Sequence, residues 1–436
     1  MKRFILVLLG LVLLSGCAAR VEKPASRPLP PPSAVRPVPS PPVPAERPSA
    51  EPSLPLAIPR PAPLVRLPAG QFPVFADDMD LASLERAMDK SLSYYDRAAG
   101  SGPHPMDDLL VSVREQRETL AALREILRGD ETEEGKRRRI AETFDVYQST
   151  GLDGRKGVLF TGYFEPILRG SRTPGGGYRY PVYRPPADAV RVSLGKFREG
   201  WKNEHLVGRV SNGELIPYYS RREIEDQGVL AGQGLEIVWV DDRINLFFLH
   251  VQGSGKIRLT DGSLLQIGFA ARNGRPFRSL SRMLVETGRV GTDEISYQAI
   301  KRYLRDNPGE VPEVLGYNES FIFFREVQEG PVGSLGEVLT AGRSIATDPA
   351  FFPRGALAFI RLRKPVLDAR GEVVAWAPFS RFVLNQDAGA AIKGAGRVDI
   401  FCGTGERAEI IAGSFKERGE LFFLLKKRSS ALPDLP

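Results

Sequence analysis

Hydrophobic positions in the chain beyond residue 80 recur at steps of three and four residues. This spacing places apolar side chains on one face of an α-helix. Three stretches show it, and the basic KRRR run inside the third is typical of a solvated helix face. Their apolar positions are Leu81, Leu84, Met88, Leu92 and Tyr95; Leu109, Val113, Leu120, Leu123 and Leu127; and Ile140, Phe144 and Tyr147 within residues 133–147. The sequence therefore predicts three packing helices.

From residue 157 the pattern changes to short apolar or alternating runs bounded by Gly, Pro, Asn and Asp, which is typical of β-strands. The first group comprises VLFTGYFEPIL, YRYPVYRPP, LEIVWV, INLFFLHVQ, KIRL, LLQIGF and, after helical patches at 278–287 and 296–304, SFIFFRE. The second group, after Gly330, comprises ALAFIRLR, EVVAWA, RFVL, VDIF and ELFFLLKK. These runs predict a mainly β fold, a mixed β-barrel carrying a β-rich insert.

Residues 1–17 have a short basic start, an apolar run too short to span as a permanent helix, and then LSGC ending at Cys17. The ending resembles the bacterial lipobox, which implies cleavage before Cys17 and acylation of that residue, including palmitate. Ala18 follows, so the resemblance implies an outer-membrane lipoprotein facing the periplasm of a Gram-negative bacterium. A plain secretory signal is the alternative.

Residues 18–65 contain 16 prolines and no hydrophobic periodicity. Such a segment cannot bury a core and is expected to be a disordered, semi-rigid tether. In polyproline II geometry, at about 3.1 Å per residue, it reaches on the order of 150 Å. A proline-rich ligand for a partner is the alternative interpretation.

The net charge of +7 is mostly a property of this N-terminal region. Residues 1–65 contain eight Lys or Arg and three Glu, a surplus of five, so the body carries only +2. The body shows no basic patch interleaved with aromatic residues, which argues against a nucleic-acid partner. Beside Cys17 only Cys402 remains, so the body is expected to contain no internal disulfide.

Candidate acid–base chemistry is concentrated in NQDAGAAIKGAGRVDIFCGTG, residues 385–405, where Asp387 and Asp399 flank a glycine-rich turn. The structural alternative is that both carboxylates cap local turns. Asp399, however, lies in the strand-like run VDIF, where a charge is costly unless it is partnered or used.

Other motifs carry less weight. Gly403-x-Gly405 lies too near the C-terminus for the βαβ units of a dinucleotide site, and Gly253–Lys256 lacks the spacing of a phosphate loop. His104, His205 and His250 are too far apart in the chain for a zinc motif. We therefore expect no cofactor and no metal.

Several motifs together resemble the membrane-bound lytic murein transglycosylase A family, whose members carry a C-terminal three-aspartate domain. The matching stretches are TGYFEP (161–166), YPVYR (180–184), FFLHVQGSG (247–255), NGRP (273–276), GRS (342–344) and the aspartates Asp348, Asp387 and Asp399. Ala residues in QDAGAAIKG and Cys402 in an aromatic slot depart mildly from the family pattern. The resemblance covers roughly residues 157–427.

Family membership implies a double-psi β-barrel built from residues 66–164 plus 327–436, including the N-terminal helices. Residues 165–326 would form the insert domain and the other wall of a glycan groove. The implied activity is that of a lytic exotransglycosylase acting in cell-wall turnover. It cleaves the β-1,4 bond between N-acetylmuramic acid and N-acetylglucosamine in peptidoglycan without water, leaving a 1,6-anhydro end.

In this chemistry one acid suffices, because the attacking group is the substrate's own C6 hydroxyl. The resemblance assigns the general acid, and then base, to Asp399, with Asp387 and Asp348 supporting. We expect the apolar neighbours Val398, Ile400 and Phe401 to raise the pKa of Asp399, and polar donors to keep Asp387 ionised. Asp348 is expected to cap a turn. The candidates to hold sugar groups are Tyr163, Gln252, Ser254, Gln386 and Lys393.

Two alternatives stay open at this point. One is a wall-binding lipoprotein without catalysis, and the other is a glycoside hydrolase that uses Asp387 and Asp399 as a carboxylate pair. Binding to murein sacculi without release of soluble material would favour the wall-binding protein. A product mass that includes an added water would favour the hydrolase.

A truncated chain that begins near Val65 is expected to stay active on solubilised glycan strands, because the apolar periodicity starts after the tether. Activity of the truncated and full-length chains, with folding checked by circular dichroism, measures this. A folded but inactive truncation would contradict a role of the tether in placement alone.

Overall fold

The computed structural model describes residues 62–428 except 101, 107–108, 152–153, 203 and 293–294. The predicted signal peptide, Cys17 and the tether as far as residue 61 lie outside the described residues. No helix in the described part of the chain is long and apolar enough to cross a membrane.

The described residues form nineteen strands and nine α-helices in one compact unit. The strands are β1 (Leu64–Arg66), β2 (His104–Met106), β3 (Leu109–Val111), β4 (Phe144–Ser149), β5 (Val158–Glu165), β6 (Ile167–Ser171), β7 (Tyr180–Tyr183), β8 (Val190–Ser193), β9 (His205–Ser211), β10 (Glu214–Pro217), β11 (Glu236–Val240), β12 (Ser254–Leu259), β13 (Leu264–Arg272), β14 (Ile322–Glu326), β15 (Ser344–Ala346), β16 (Leu357–Leu367), β17 (Val373–Asp387), β18 (Arg397–Thr404) and β19 (Lys416–Lys426). The helices are α1 (Leu81–Arg97), α2 (Val113–Arg128), α3 (Glu133–Thr143), α4 (Arg221–Glu225), α5 (Arg243–Gln252), α6 (Leu280–Glu286), α7 (Tyr297–Asp306), α8 (Val311–Gly316) and α9 (Glu406–Ser414).

Six strands close into a barrel, in the order β19, β16, β17, β15, β18 and β5, with β5 pairing back to β19. β4 and then β1 extend the sheet from β19. Alternate residues of these strands fill the interior, among them Phe160, Ile345, Val383, Val398 and Ile400, each at most 4% exposed. The prediction of a β-rich fold around a closed barrel is confirmed.

The folded body begins slightly before the predicted end of the tether. Leu64 is fully buried in the barrel core and pairs with Ser149, while Val65 pairs with Gln148. Both residues fall within the predicted tether. Burial of Leu64 attaches them to the barrel, so a truncation should keep Leu64.

Helices α1 and α2 pack on the outside of the barrel. Met88 and Leu123 contact the core cluster that includes Leu384 and Phe422 of the strands. Leu109 of the second predicted helix lies instead on β3, and α2 begins only after Ser112, where a capping box forms. The third predicted helix ends at Thr143; Phe144 and Tyr147 belong to β4, where they pair with β19.

A second sheet follows the order β14, β13, β12, β6, β11, β7. α5 packs between its core and a helical cluster formed by α6, α7 and α8. A separate three-stranded sheet has the order β10, β9, β8. All these strands fall within residues 167–326, between β5 and the return to the barrel.

The segment INLFFLHVQ is a helix, α5, and the strand prediction for it was wrong. Asp242 caps its N-terminus through Ile244 N and Asn245 N, and Gly253 ends it at a φ of 80°. Leu249 faces the sheet core while Phe248 faces the helical cluster. Because α5 is buried on both sides, it has no polar face, and its sequence therefore shows no helical periodicity. Only the Asp and Gly caps indicate the helix.

Arg343 fastens α1 to the barrel. Its guanidinium is 0% exposed and donates to Asp77 Oδ2 (2.6 Å), Phe382 O (2.8 Å), Asp80 O (3.0 Å) and Ser83 Oγ (3.0 Å). Because Arg343 immediately precedes β15, these bonds also set the start of that strand.

Arg343→Leu is expected to lower the free energy of unfolding by about 3–5 kcal/mol, because it leaves Asp77 and two carbonyls without their buried partner. Arg361→Leu is the matched control, since Arg361 pairs with Glu420 at the surface (50% and 33% exposed) and should cost at most about 1 kcal/mol. Urea denaturation followed by circular dichroism measures both values. Equal losses would contradict the anchoring role of Arg343.

Candidate active site

Asp387 and Asp399 lie on either side of Ala346. In the register of the sheet, Ala346 on β15 is opposite Asp387 on β17 and opposite Asp399 on β18, and Asp399 is in turn opposite Thr161 on β5. Residues directly opposite one another on neighbouring strands point to the same face of a sheet. The four side chains therefore form a row across four strands, which we call the carboxylate row.

The carboxylate row is on the outer face of the barrel. Val398 and Ile400, the neighbours of Asp399 in sequence, point into the barrel core, so Asp399 points outward. Asp387 and Asp399 are separated by two strand spacings, about 10 Å between their backbones. Between the two carboxylates lies only the small side chain of Ala346 in this register.

A shift of register brings Asp387 into this row. Ile345 is opposite Asn385, but the next residue, Ala346, is opposite Asp387, so Gln386 is passed over. A bulge of this kind changes the direction in which the following side chain points. Without it, Asp387 would alternate to the face opposite that of Ala346.

Asp387 is held by three donors. Its Oδ2 accepts from the hydroxyl of Tyr163 (2.9 Å), and its Oδ1 accepts from the backbone N–H groups of Ser334 and Ala388 (2.8 Å each). Burial raises the pKa of Asp387 above its ordinary value, and the lowering by these hydrogen bonds does not cancel it. That polar donors keep Asp387 ionised stays a prediction, because the donors oppose the loss of solvation.

Burial also raises the pKa of Asp399, to about 6. Hydrogen bonding with Thr161 and the charge of Arg397 lower this pKa, and the charge of Asp387 raises it. Asp399 Oδ1 is buried and has no hydrogen-bond partner among the described residues. Asp399 is thus suited to carry a proton under mildly acidic conditions.

The predicted cause of this pKa is correct only in part. Val398 and Ile400 point away from Asp399 into the barrel core, because side chains alternate along the strand. Phe401, two residues on, shares the face of Asp399, and its ring lies 5.4 Å from that of Tyr163. This aromatic pair is therefore on the strand face that carries Asp399.

Asp348 lies at the loop that joins the two carboxylate strands. The residue is 5% exposed, and its carboxylate accepts from Ala350 N (3.2 Å) and Gly394 N (2.9 Å). The Nζ atom of Lys393 lies 3.8 Å from Asp348 Oδ1, and the Lys393 side chain is largely exposed. Asp348 thus caps its own turn and holds the 388–396 loop.

The other residues predicted to contact sugar differ in whether their polar groups are available. Gln386 is 1% exposed; its Oε1 accepts from Ser344 Oγ, and its Nε2 donates to Ala87 O and Ser91 Oγ of α1. It ties α1 to β17, so its amide is not available to a sugar, and we drop it as a contact. Ser254, 8% exposed, begins β12.

Gln252 accepts from the N–H of Phe164 (3.1 Å), next to Tyr163.

Sequence reasoning missed Thr161, Ser334 and Ala346. Thr161 could have been found from strand alternation, because it is two residues before Tyr163. Nothing near Ser334 in the sequence marks it, since it contributes only its backbone N–H.

Comparison with known proteins shows which family the chain resembles. Residues 159–325 match the model of the MltA specific insert domain, and residues 343–425 match the 3D domain. Over 283 residues the chain is 30% identical to the membrane-bound lytic murein transglycosylase A of Escherichia coli K12, covering 64% of this chain and 69% of that protein. The corresponding protein of Vibrio cholerae is 32% identical over 282 residues, 64% of this chain and 68% of that one.

The chain belongs to the membrane-bound lytic murein transglycosylase A family. Membership confirms the predicted resemblance and makes the chain an enzyme of the peptidoglycan-cleaving lyase class.

Solved structures of the lytic murein transglycosylase A family share the fold. A membrane-bound lytic murein transglycosylase from Agrobacterium tumefaciens superimposes with a TM-score of 0.69 at 30% identity, covering 83% of this chain and 97% of that one. MltA from Neisseria gonorrhoeae gives 0.62 at 29%, covering 83% and 92%. E. coli MltA with bound chitohexaose gives 0.64 at 24% identity, covering 85% and 96%, and shows likeness of fold.

The raised pKa of Asp399 predicts a dependence of stability on pH. Between about 3.8 and about 6 the folded state holds this proton more tightly than the unfolded state, so the stabilising contribution is lost as pH rises through that window. Asp399→Asn removes this loss of stability, because asparagine does not ionise. The Tm of the variant relative to wild type is therefore expected to increase from pH 4 to pH 7 in differential scanning fluorimetry.

Asp78→Asn is the control of opposite sign. Burial raises the pKa of Asp78, but hydrogen bonds from Arg381 and Lys364 outweigh burial, so the net pKa is lowered. Its stabilising contribution is present above the ordinary pKa of 3.8 and is lost as pH falls below it, so the Tm deficit of the variant should grow from about pH 3 to about pH 5 and stay constant above that. A pH-independent Tm difference for Asp399→Asn would contradict burial of its carboxylate.

Proposed function

We propose that the enzyme cleaves the β-1,4 bond between N-acetylmuramic acid and N-acetylglucosamine in peptidoglycan, without water, and leaves a 1,6-anhydromuramic acid end. Asp399 is the general acid and then the general base. The observation that carries this proposal is the partly buried Asp399 carboxyl, with a pKa of about 6, on the outer face of the barrel. Family membership supplies the reaction class.

The reaction requires one proton donor and no protein nucleophile. Protonated Asp399 donates to the glycosidic oxygen while the bond from that oxygen to C1 breaks. C1 belongs to N-acetylmuramic acid. The C6 hydroxyl oxygen of the same N-acetylmuramic acid bonds to C1 and gives its proton to ionised Asp399, which restores the protonated state of Asp399. Because the attacking hydroxyl belongs to the substrate, positioning replaces much of what a nucleophilic side chain provides.

Asp387 is suited to a supporting role. The three donors fix its carboxylate in the carboxylate row, where its charge helps to raise the pKa of Asp399. When ionised, it also stabilises positive charge that develops at C1 as the glycosidic bond breaks. Its substitution is expected to cost less activity than that of Asp399, or to act through stability.

The glycan is proposed to lie in a groove between the barrel and the insert. We assign residues 64–164 plus 327–428 to the first domain, of double-psi type, and residues 165–326 to the second. The barrel strands lie outside 167–326 and the second sheet lies within it, which supports this division. The chitohexaose bound to E. coli MltA agrees with an extended saccharide site in this fold. Tyr163, Gln252, Ser254 and Lys393 remain the proposed sugar contacts.

The enzyme is further proposed to act in cell-wall turnover as an outer-membrane lipoprotein, attached to the membrane through acylated Cys17 and facing the periplasm. The lipobox-like LSGC sequence and the membrane-bound relatives support this location. The proline-rich segment then lets the anchored body reach glycan strands.

Asp399→Asn is expected to lower turnover by at least about a hundredfold, because it keeps the side-chain shape but cannot deliver a proton. Release of soluble muropeptides from sacculi measures this, and mass spectrometry should show products lighter by one water than hydrolysis products. Wild-type turnover should fall above about pH 6 as Asp399 ionises.

Asp387→Asn is the paired variant, with binding of both proteins to insoluble sacculi as the control for an intact groove. Near wild-type release of anhydro-muropeptides by Asp399→Asn, with Asp387→Asn folded but inactive, would reverse the assignment. Hydrated products would instead indicate a hydrolase, and binding without release a wall-binding protein.

A further inference from the structure

Glu165 is a fully buried carboxylate that the proposed reaction does not use. Its Oε2 accepts from Thr404 Oγ1 (2.7 Å) of the barrel strand β18, and its Oε1 accepts from Gln266 Nε2 of β13. Lys256 of β12 lies 3.6 Å from Oε2. A buried charge is costly unless it is paired and hydrogen-bonded. Glu165 is satisfied by partners from both the barrel and the second sheet.

Glu165 ends β5, two residues after Tyr163 and on the same strand face. The chain leaves the barrel here, because β6 of the second sheet begins at Ile167. Residues of the insert hold this exit: Gln252 accepts from Phe164 N, and Lys256 N donates to Pro166 O (2.9 Å). The strand end that carries Tyr163 is therefore immobilised by insert residues.

The return of the chain to the barrel passes the same place. The backbone oxygen of Gln266 accepts from Val327 N (3.0 Å). Its side chain lies directly against Gly330, where a Cβ atom would come within 2.7 Å of Gln266 Nε2. Four residues further on, Ser334 N donates to Asp387. The Glu165–Gln266 bond thus joins the exit and return segments, and each segment supplies one donor to Asp387.

We propose that Glu165 is a positioning residue that, through Gln266 and Lys256, fixes the exit and return segments together and so aims the Tyr163 hydroxyl and the Ser334 N–H at Asp387. This inference rests on the proposed function, since it concerns the same carboxylate row. Glu165 is remote from solvent and is not itself a group that touches the glycan.

The proposal has a chemical consequence for Asp399. Tyr163 and Ser334 lower the pKa of Asp387, so weaker contacts would let Asp387 keep its proton to higher pH. The charge of Asp387 raises the pKa of Asp399, so a neutral Asp387 would let Asp399 ionise at lower pH. Loosening of the Glu165 contacts should therefore shift the pH limit of the general acid as well as reduce its rate.

Glu165→Gln tests this in the full-length chain. We expect kcat to fall on the order of tenfold to a hundredfold with KM nearly unchanged, as for a small misplacement of reacting groups. The alkaline limb of the pH–rate profile should move to lower pH by on the order of half a unit. The readouts are anhydro-muropeptide release across pH and a thermal melt.

Glu409→Gln is the matched control. Glu409 on α9 accepts from Lys301 on α7 (2.7 Å), which also joins the two parts of the chain but through contacts that do not involve Asp387. It should leave kcat and the alkaline limb as in wild type. If Glu409→Gln reproduced both changes, general loosening of the insert would explain them and the proposal would fail.

Gln266→Ala keeps the test decisive if Glu165→Gln does not fold, and it should show the same loss of kcat and the same shift. In the double variant the two effects should add only in part, because both substitutions alter the Glu165–Gln266 bond while only Glu165→Gln also alters the contact with Lys256. Wild-type kinetics in the folded variants, or a rise in KM alone, would overturn the role of Glu165. Absence of anhydro products from the wild-type chain would instead overturn the proposed function itself.

Discussion

Ala346 is opposite two carboxylates because β15 pairs with β17 on one side and with β18 on the other. The strand is only three residues long, yet the rest of the candidate site depends on it. It sets the separation of Asp387 and Asp399, and its one-residue shift against β17 turns Asp387 toward the face of Asp399. A slip of β15 by one residue would place a different side chain between the two acids.

So short a strand is supported from outside the sheet. Arg343 before it and Gln386 beside it both bond to α1, which explains why the helix packs where it does. Helix α1 is thus connected to the acid–base site through buried hydrogen bonds, although none of its residues is a candidate for contact with the reacting sugar.

Strand alternation explains much of what the sequence could predict. The VDIF pattern indicated that Asp399 lies in a strand with apolar neighbours, and the direction of its pKa followed. The same alternation shows why Val398 and Ile400 are not the residues that desolvate it. Alternation could not identify two of the donors to Asp387, because Tyr163 and Ser334 are far from it in the sequence.

Other features are set by tertiary contacts that leave little trace in sequence. The apolar run of α5 shows no period because it is buried on both sides, and Gln386 resembles a surface polar residue until α1 covers it. A glutamate at the end of a strand is usually exposed. Glu165 is buried because residues of β12, β13 and β18 surround its carboxylate.

The adjacency of the exit and return segments bears on how the chain folds. Because Gln266 contacts both Glu165 and Val327, about 160 residues leave and re-enter the barrel at nearly one point. Closing a loop costs entropy that grows only with the logarithm of its length, and a loop that is itself folded has its ends already together. To the barrel, the long excursion between β5 and β15 is therefore equivalent to a short connection. The parallel pairing of β5 with β18 can then form without bringing distant ends of a flexible chain together.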